Sequence, residues 1–316
     1  MVMDWVYTGI GLLILLLAGD SLVKGAVNLS LRVGIPALIV SLTIVAFGTS
    51  APELLISVQA ILDGVPGIAL GNVVGSNTAN ILLVLGIPAL LATMHTSECN
   101  TRKTYLQMIA ASALFIALCF RGVVDWFAGV ILLLALGAML AHAIREVKRH
   151  RQSERDAEED EVEGADPNLG WGKIILFLVL GLVGLPLGAS LLVDGASNIA
   201  RTFGVSDTVI GLTLVAIGTS LPELATTVMA ALRRQADVAL GNVIGSNMFN
   251  LLAIMGVASL VGPVPVDPQF LSFDLWIMLG ASLLLIPFVF LRQDITRAWG
   301  LILTAIYGVY LVVVLM

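Results

Sequence analysis

Two glutamates, Glu53 and Glu223, stand inside long apolar stretches of this chain. An ionisable side chain at the centre of a membrane helix costs at least about 2.5–3.5 kcal/mol, so its presence indicates a functional site. Residues 42–54 read LTIVAFGTSAPEL, and residues 212–224 repeat this almost unchanged as LTLVAIGTSLPEL. The hydroxyl-bearing neighbours of the two glutamates are Thr49, Ser50, Thr219 and Ser220. Carboxylate and hydroxyl oxygens are hard donors that suit Na⁺ and Ca²⁺, so the motif indicates a path for cations.

A proline precedes each glutamate, at Pro52 and Pro222. Proline lacks an N–H and clashes with the carbonyl four residues back, which belongs to Gly48 and Gly218 respectively. Backbone oxygens freed at membrane depth are tolerated where a cation or a water-lined cavity satisfies them. The sequence therefore predicts broken helices whose backbone oxygens join the side-chain donors.

A second block is also written twice, as ALGNVVGSNTAN at residues 69–80 and ALGNVIGSNMFN at residues 239–250. Residues four apart share one face of a helix, so each block adds a pair of oxygen donors to one face. These pairs are Ser76 with Asn80, and Ser246 with Asn250. The remaining asparagines of the block are interpreted as caps, links between helices or lining of the path, and they are Asn72, Asn77, Asn242 and Asn247.

Composition places these motifs in a membrane. Of the 316 residues, 58% are hydrophobic and only 12% are charged, and the mean hydropathy is +1.01. Such continuous apolar runs satisfy their backbone as helices, whereas barrel strands would alternate apolar and polar residues. Stretches long enough to cross a hydrocarbon layer of about 30 Å lie near 5–25, 36–60, 68–93, 104–120, 124–144, 172–193, 206–231, 239–262, 272–291 and 298–316.

The repeat sets the predicted architecture. The same offset of 170 residues separates Glu53 from Glu223 and Gly71 from Gly241, with no insertion between the blocks. The chain is thus two homologous halves of five spans each, and because five is odd, the second half enters the membrane from the opposite side. We predict an all-α membrane protein of ten transmembrane helices in two inverted five-helix repeats. The predicted boundaries are 1–144 for the first half, 145–170 for an acidic linker and 171–316 for the second half.

The basic residues predict the orientation. With the N-terminus outside, only Arg121 and Arg201 of the 16 Lys and Arg residues face outward. This bias places both termini outside and the linker in the cytoplasm, and we expect a prokaryotic plasma membrane. The linker turns acidic after Arg151, but it lacks the spacing of an EF-hand loop. We interpret it as a solvated connection, with a regulatory Ca²⁺ site as the other interpretation.

GTSAPE and GTSLPE, each followed by GNVxGSN, resemble the two α-repeats of the Ca²⁺/cation antiporter superfamily. The nearest resemblance is to its Na⁺/Ca²⁺ exchanger branch, including the prokaryotic exchangers, and it covers both halves. It implies transported Na⁺ and Ca²⁺, no prosthetic group, and an ion site shared between the halves. The ligands it implies are Glu53, Glu223, Thr49, Ser50, Thr219, Ser220, Ser76, Asn80, Ser246 and Asn250, with backbone oxygens near Ala46 and Ala216.

One position departs from part of the superfamily. Members that resemble K⁺-dependent exchangers carry Asp where this chain has Asn250, which here matches Asn80 of the first half. The pocket is then expected to hold two carboxylates, which argues against K⁺ coupling. One Ca²⁺ or two Na⁺ would neutralise them, and a third Na⁺, which the resemblance implies, would make exchange electrogenic. The resemblance also implies that the spans near 5–25 and 172–193 slide against the ion-holding core.

Other functions fit parts of the pattern. A Ca²⁺/H⁺ antiporter would use the same glutamates as proton carriers, and a passive cation channel would also need oxygen donors. A purely structural reading would lock both glutamates in hydrogen bonds. An intramembrane metalloenzyme is disfavoured because no His or further Asp joins the glutamates. We expect an antiporter rather than an enzyme, with Ca²⁺, Na⁺ and the lipid bilayer as partners, no nucleic acid and no obligatory protein partner.

Overall fold

The computed structural model describes residues 2–153, 169–204 and 216–315, and these are mostly helical. The helices of the first half are α1 (Val2–Val33), α2 (Ala37–Thr49), α3 (Ala51–Leu62), α4 (Pro66–Leu91), α5 (Arg102–Cys119) and α6 (Trp126–Ser153). Those of the second half are α7 (Trp171–Thr202), α8 (Ala216–Gly218), α9 (Leu221–Leu232), α10 (Ala236–Val261), α11 (Phe270–Phe290) and α12 (Arg297–Leu315).

Seven helices in the described residues are long and apolar enough to cross a membrane, or eight if the bent pair α2 and α3 forms one span. The prediction of an integral membrane helix bundle is therefore supported. Wherever the structure describes them, the predicted spans coincide with a helix or a helix pair, although part of the span at 206–231 lies outside the described residues. Ten crossings in two inverted sets stay a prediction.

The most buried helices form the centre of the bundle. Within an apolar stretch of 18 residues in each helix, 83% is buried in α4 and in α10, against 33% in α1 and 28% in α7. These two central helices carry the repeated GNVxGSN blocks, so the polar asparagines and serines lie where lipid cannot reach them. The glycines of these blocks allow close packing between helices. A Cβ on Gly245 of α10 would lie 2.5 Å from the carbonyl oxygen of Leu42 in α2.

The loops at the two ends of α5 are tied to the matching loops of the second half. At one end, β1 (Val123–Val124) pairs antiparallel with β2 (Val264–Pro265). At the other end, the backbone of Met94 exchanges hydrogen bonds of 3.0 and 3.1 Å with that of Ile295. The prediction of an all-α chain omitted this small ribbon, since two-residue strands are too short to produce a periodic signal.

The last helix of the first half extends into the predicted linker at 145–170, and the boundaries of that linker stay a prediction. Helix α6 continues to Ser153, so the chain beyond Arg145, where the linker was predicted to begin, is still helical. Most of the acidic run, at 154–168, lies outside the described residues. The interpretation of that run as a solvated connection remains a prediction.

Helices α1 and α7 pack against each other at glycines. A Cβ on Gly11 would lie 2.5 Å from the backbone nitrogen of Leu192 and 2.8 Å from the carbonyl oxygen of Gly188. Such small-residue contacts let two membrane helices approach closely enough for their backbones to touch. The two peripheral helices therefore form one closely packed pair beside the core.

An ion pair joins this helix pair to the core. Arg233, directly after α9, donates from Nε to Asp20 Oδ1 of α1 at 2.5 Å, and Lys24 Nζ lies 2.9 Å from Asp20 Oδ2. All three side chains are partly buried. The contact fixes α1 relative to the end of the helix that carries Glu223.

The glycine contact can be tested by a methyl group. We expect Gly11→Ala to lower the apparent melting temperature of the detergent-solubilised protein by several degrees, because the added Cβ meets backbone atoms that cannot rotate away. Gly9→Ala on the same helix is the matched control, since nothing lies within 4 Å of its added Cβ. Equal melting temperatures for the two variants would contradict the packing described here.

Candidate cation-binding site

A break in the second span places Glu53. Ser50 leaves the helical conformation at φ −85° and ψ 6°, and α2 and α3 meet there at an angle of 42°. Pro52 occupies the first turn of α3, where its missing N–H has no intrahelical partner to lose. Glu53 follows in the same turn, at the positive end of the helix dipole. The proline thus starts a new helix that presents a carboxylate at its N-terminus.

The second half repeats this geometry. Ser220 has φ −87° and ψ 4°, Pro222 lies in the first turn of α9, and Glu223 follows it. The predicted breaks are found at Ser50 and Ser220, each two residues before its proline. Ala216 begins the short helix α8, and the preceding residues 205–215 lie outside the described part of the chain.

The two helix breaks lie next to each other inside the bundle. Ser50 of the first half donates its hydroxyl to Glu223 Oε1 of the second half at 3.2 Å. The Thr49 hydroxyl lies 3.4 Å from that of Ser246 on α10. The carboxylates of Glu53 and Glu223 lie near enough for their charges to repel each other. Residues predicted from separate repeats are therefore brought to one place.

Both carboxylates are deeply buried. Glu53 and Glu223 are each only 1% exposed. Among the described residues, no Lys, Arg or His forms an ion pair with either glutamate. A buried charge left unpaired is costly, so these side chains need either protons or bound cations.

Several buried side-chain oxygens of the repeated motifs also have no hydrogen-bond partner in the part of the chain that the structure describes. Buried polar atoms are nearly always paired in native proteins, so a cluster of unpaired acceptors requires an explanation. The unpaired acceptors of the repeated motifs, within the described residues, are Glu53 Oε2, Glu223 Oε2, Ser220 Oγ, Asn77 Oδ1, Asn80 Oδ1 and Asn250 Oδ1. All but Asn77 were predicted as ligands. A hard cation would satisfy such a set of oxygens.

The other predicted ligands with described side chains are at least partly buried, and two of them, Thr49 and Ser246, lie 3.4 Å apart. Thr49, Ser76 and Ser246 are buried on α2, α4 and α10, and Thr219 lies partly buried beside Ser220. The Ala46 carbonyl accepts hydrogen bonds from the Ser50 N–H at 3.1 Å and from the Thr49 hydroxyl at 3.3 Å. The assignment of these residues as ion ligands remains a prediction.

Two asparagines of the GNVxGSN blocks have roles that sequence reasoning did not resolve. Asn247 of α10 accepts from Asn80 Nδ2 at 3.0 Å and donates to the Asn77 carbonyl at 3.3 Å, so it links the two central helices. Asn77 offers an unpaired side-chain oxygen that was not among the predicted ligands. Only the exact repetition of these asparagines in both halves pointed to them.

The donor set separates classes of metal site. Within the parts of the chain that the structure describes, no group of three or more His, Cys, Asp or Glu side chains could hold a metal ion. The pocket instead combines two carboxylates with neutral hydroxyl, amide and carbonyl oxygens. Such a set suits weakly held hard cations and lacks the imidazole or thiolate ligands of a zinc centre.

The fold and the pocket define a membrane-embedded helix bundle with an acidic, oxygen-lined site between two broken helices. Its sequence matches the profile of the family described as sodium/calcium exchanger protein over residues 3–145 and 173–316. The chain is 34% identical to sodium/calcium exchanger MaX1 of Methanosarcina acetivorans, covering 96% of each sequence. It is 33% identical to inner membrane protein YrbG of Escherichia coli, covering 96% of this chain and 94% of that protein.

Solved structures agree with these matches. The sodium-calcium exchanger NCX_Mj, in crystals soaked with zero Na⁺ and Ca²⁺, is similar with a TM-score of 0.83 and 31% identity, covering 99% of each chain. The same protein soaked with 10 mM Na⁺ and zero Ca²⁺ gives a TM-score of 0.82. The chain belongs to the sodium/calcium exchanger family. It is therefore an integral membrane antiporter that exchanges cations, and its family is one of transporters rather than enzymes.

If the unpaired oxygens hold a cation, that cation should stabilise the folded protein. We expect Ca²⁺ to raise the melting temperature of the purified protein, because a ligand at about 100 times its Kd adds about 2.7 kcal/mol to the free energy of unfolding. Glu223→Gln should abolish the shift by removing half of the negative charge. The control Asp294→Asn should retain the shift, since Asp294 lies in a loop where it accepts a hydrogen bond from the Ser97 N–H. A shift of the same size in the Glu223 variant would disprove the site.

Proposed function

We propose that the protein exchanges Na⁺ for Ca²⁺ across the membrane by alternating access, with both ions competing for Glu53 and Glu223. The observation that carries this proposal is the pair of buried carboxylates with unpaired oxygens and no basic partner among the described residues. Two ionised carboxylates are neutralised by one Ca²⁺ or by two Na⁺. Because either ion set needs the same charges, one must leave before the other binds, which couples the two fluxes.

The proposed ion shell takes oxygens from both halves. Carboxylates supply the charge, while hydroxyls, amides and two backbone carbonyls complete the coordination of a cation that favours six to eight oxygens. The proposed ligands are Glu53, Glu223, Thr49, Ser50, Thr219, Ser220, Ser76, Asn80, Ser246 and Asn250, with the backbone oxygens of Ala46 and Ala216. The Ser50–Glu223 hydrogen bond supports a shell that crosses between the halves.

The relatives favour Na⁺ over H⁺ as the coupling ion. MaX1 is named a sodium/calcium exchanger, and NCX_Mj is a sodium-calcium exchanger whose crystals were soaked with Na⁺, Ca²⁺ or Sr²⁺. Their similarity extends over nearly the whole of this chain. A Ca²⁺/H⁺ antiporter would use the same glutamates, so the choice of driving ion needs a direct flux measurement.

The neutral amides at Asn80 and Asn250 support K⁺-independent exchange. Both are buried and both leave their side-chain oxygen unpaired. With amides at both positions, the pocket holds two negative charges, which leaves no third carboxylate to balance a K⁺ ion. If three Na⁺ replace one Ca²⁺, each cycle moves one net positive charge, so the exchange is electrogenic.

The proposed arrangement in the membrane follows the repeat. Residues 1–144 and 171–316 form inverted five-helix halves, joined by a cytoplasmic linker at 145–170, with both termini outside. The bias of Lys and Arg toward one side supports this orientation. The relative YrbG is named an inner membrane protein, which supports a prokaryotic plasma membrane.

Alternating access is proposed to come from the pair α1 and α7 sliding against the core. Glycine contacts hold the two helices together, and both are far less buried than α4 and α10. The pair can therefore move as one body while the ion shell stays intact. The Asp20–Arg233 ion pair would have to open or lengthen during such a movement.

Driving ions can be separated in proteoliposomes. We expect an outward Na⁺ gradient to drive ⁴⁵Ca²⁺ uptake in the absence of K⁺, with an accompanying current. A pH gradient alone should drive none. Uptake that follows only the pH gradient would identify a Ca²⁺/H⁺ antiporter, and an absolute requirement for K⁺ would contradict the role given to Asn250.

The two glutamates can be tested by removing their charge while keeping their shape. We expect Glu53→Gln and Glu223→Gln each to abolish Na⁺-driven Ca²⁺ uptake, because one remaining carboxylate cannot neutralise a divalent ion. Asp63→Asn is the matched control, since Asp63 is exposed and its carboxylate accepts a hydrogen bond from the neighbouring Gln59. Near-normal flux in either Gln variant, with the protein folded, would remove both residues from the site.

A further inference from the structure

One buried amide touches both halves of the site without being among the proposed ligands. Asn242 lies on α10 and is fully buried. Its Nδ2 faces the Glu223 carbonyl oxygen at 3.4 Å and Thr227 Oγ1 at 3.3 Å, both on α9. Its Oδ1 accepts a hydrogen bond from the Thr49 hydroxyl of the first half at 3.3 Å. The side chain therefore joins three segments that surround the carboxylates.

The hydrogen bonds determine which way round this amide lies. Thr227 donates its only hydroxyl proton to the Glu223 carbonyl at 2.7 Å, so its oxygen is left to accept. That acceptor and the carbonyl itself both require an N–H from Asn242, because an amide oxygen can only accept. The Oδ1 atom is thus directed toward Thr49.

The Thr49 hydroxyl has one proton and several neighbours that can accept it. It lies 3.3 Å from the Ala46 carbonyl oxygen and 3.4 Å from the Ser246 hydroxyl. Both neighbours are proposed ion ligands, whose lone pairs the cation would occupy. Asn242 Oδ1 is the acceptor that remains when the ion is bound.

We propose that Asn242 is a positioning residue. It accepts the hydrogen bond of the Thr49 hydroxyl and so turns a lone pair of that hydroxyl toward the transported cation. A hydroxyl coordinates a cation through oxygen, and its proton must point away from the ion. Asn242 Oδ1 is a fixed acceptor for that hydrogen bond, because the hydrogen bonds of Nδ2 to α9 keep the amide from rotating. This inference rests on the proposed function, since it assumes that Thr49 is a ligand.

The first half carries a comparison residue. Asn72 donates to the Glu53 carbonyl oxygen at 3.1 Å and to Ser57 Oγ at 3.0 Å, which repeats the anchoring seen for Asn242. Both hydrogen bonds go to α3, and within the described residues none joins the Asn72 side chain to Thr49. Removing Asn72 should therefore disturb its own half without acting through the Thr49 hydroxyl.

A double-mutant cycle tests the proposal through the KM for Ca²⁺ in Na⁺-driven uptake. We expect Asn242→Ala to raise KM about three- to tenfold, the loss of one hydrogen bond, with a smaller change in maximal rate. In a Thr49→Val background, which lacks the hydroxyl, the same change should have no further effect. In a Thr49→Ser background, which keeps the hydroxyl, the rise in KM should return. Asn72→Ala should act equally in both backgrounds.

The outcomes separate positioning from a merely structural role. A KM that is unchanged by Asn242→Ala, or raised equally in the Thr49→Val background, would overturn the proposal. If Asn242→Ala fails to fold, Thr227→Val is the second variant, because valine has the shape of threonine but lacks the hydroxyl that holds the Asn242 amide. The rise in KM caused by Thr227→Val should depend on the Thr49 hydroxyl in the same way. If the unmodified protein shows no Na⁺-driven uptake, the proposed function fails, and the same cycle measured by Ca²⁺-induced thermal shift still decides the role of Asn242.

Discussion

The structure depends on one constraint, which is that two carboxylates lie buried between helices with no basic side chain of the described residues to neutralise them. Burying such charges is unfavourable unless cations or protons accompany them. The polar side chains around the carboxylates are serine, threonine and asparagine, whose neutral oxygens can bind a cation, whereas Lys or Arg would compete with it. A permanent ion pair would stabilise the fold but would leave nothing for a transported cation to bind.

The helix breaks convert this constraint into a site that two halves share. Each proline starts a new helix, so Glu53 and Glu223 sit in first turns where the backbone dipole is positive. The glycines of α10 let α2 approach within contact distance, which brings Thr49 to Asn242 of α10 and Ser50 to Glu223. One repeated motif thereby provides the charge, and the other provides the close packing that places it.

Much of this arrangement could be predicted from the sequence, because its signals are strong and local. Apolar length predicted the helices, the prolines predicted the breaks, and the exact repeat predicted that Glu53 and Glu223 belong to equivalent elements. The two-residue strands were missed since they have no periodicity. The role of Asn242 could not be foreseen because it arises from a contact with Thr49, 193 residues away in the chain. Spacing alone cannot rank four equivalent asparagines.

The central claim is that Na⁺ and Ca²⁺ use the same two carboxylates. It is tested most directly by equilibrium ⁴⁵Ca²⁺ binding to the purified protein at increasing Na⁺. We expect Na⁺ to raise the apparent Kd for Ca²⁺ steeply and without limit, while the number of Ca²⁺ sites extrapolated to saturation stays constant. A Ca²⁺ affinity that levels off or does not change with Na⁺ would mean that both ions bind at once, which would contradict it.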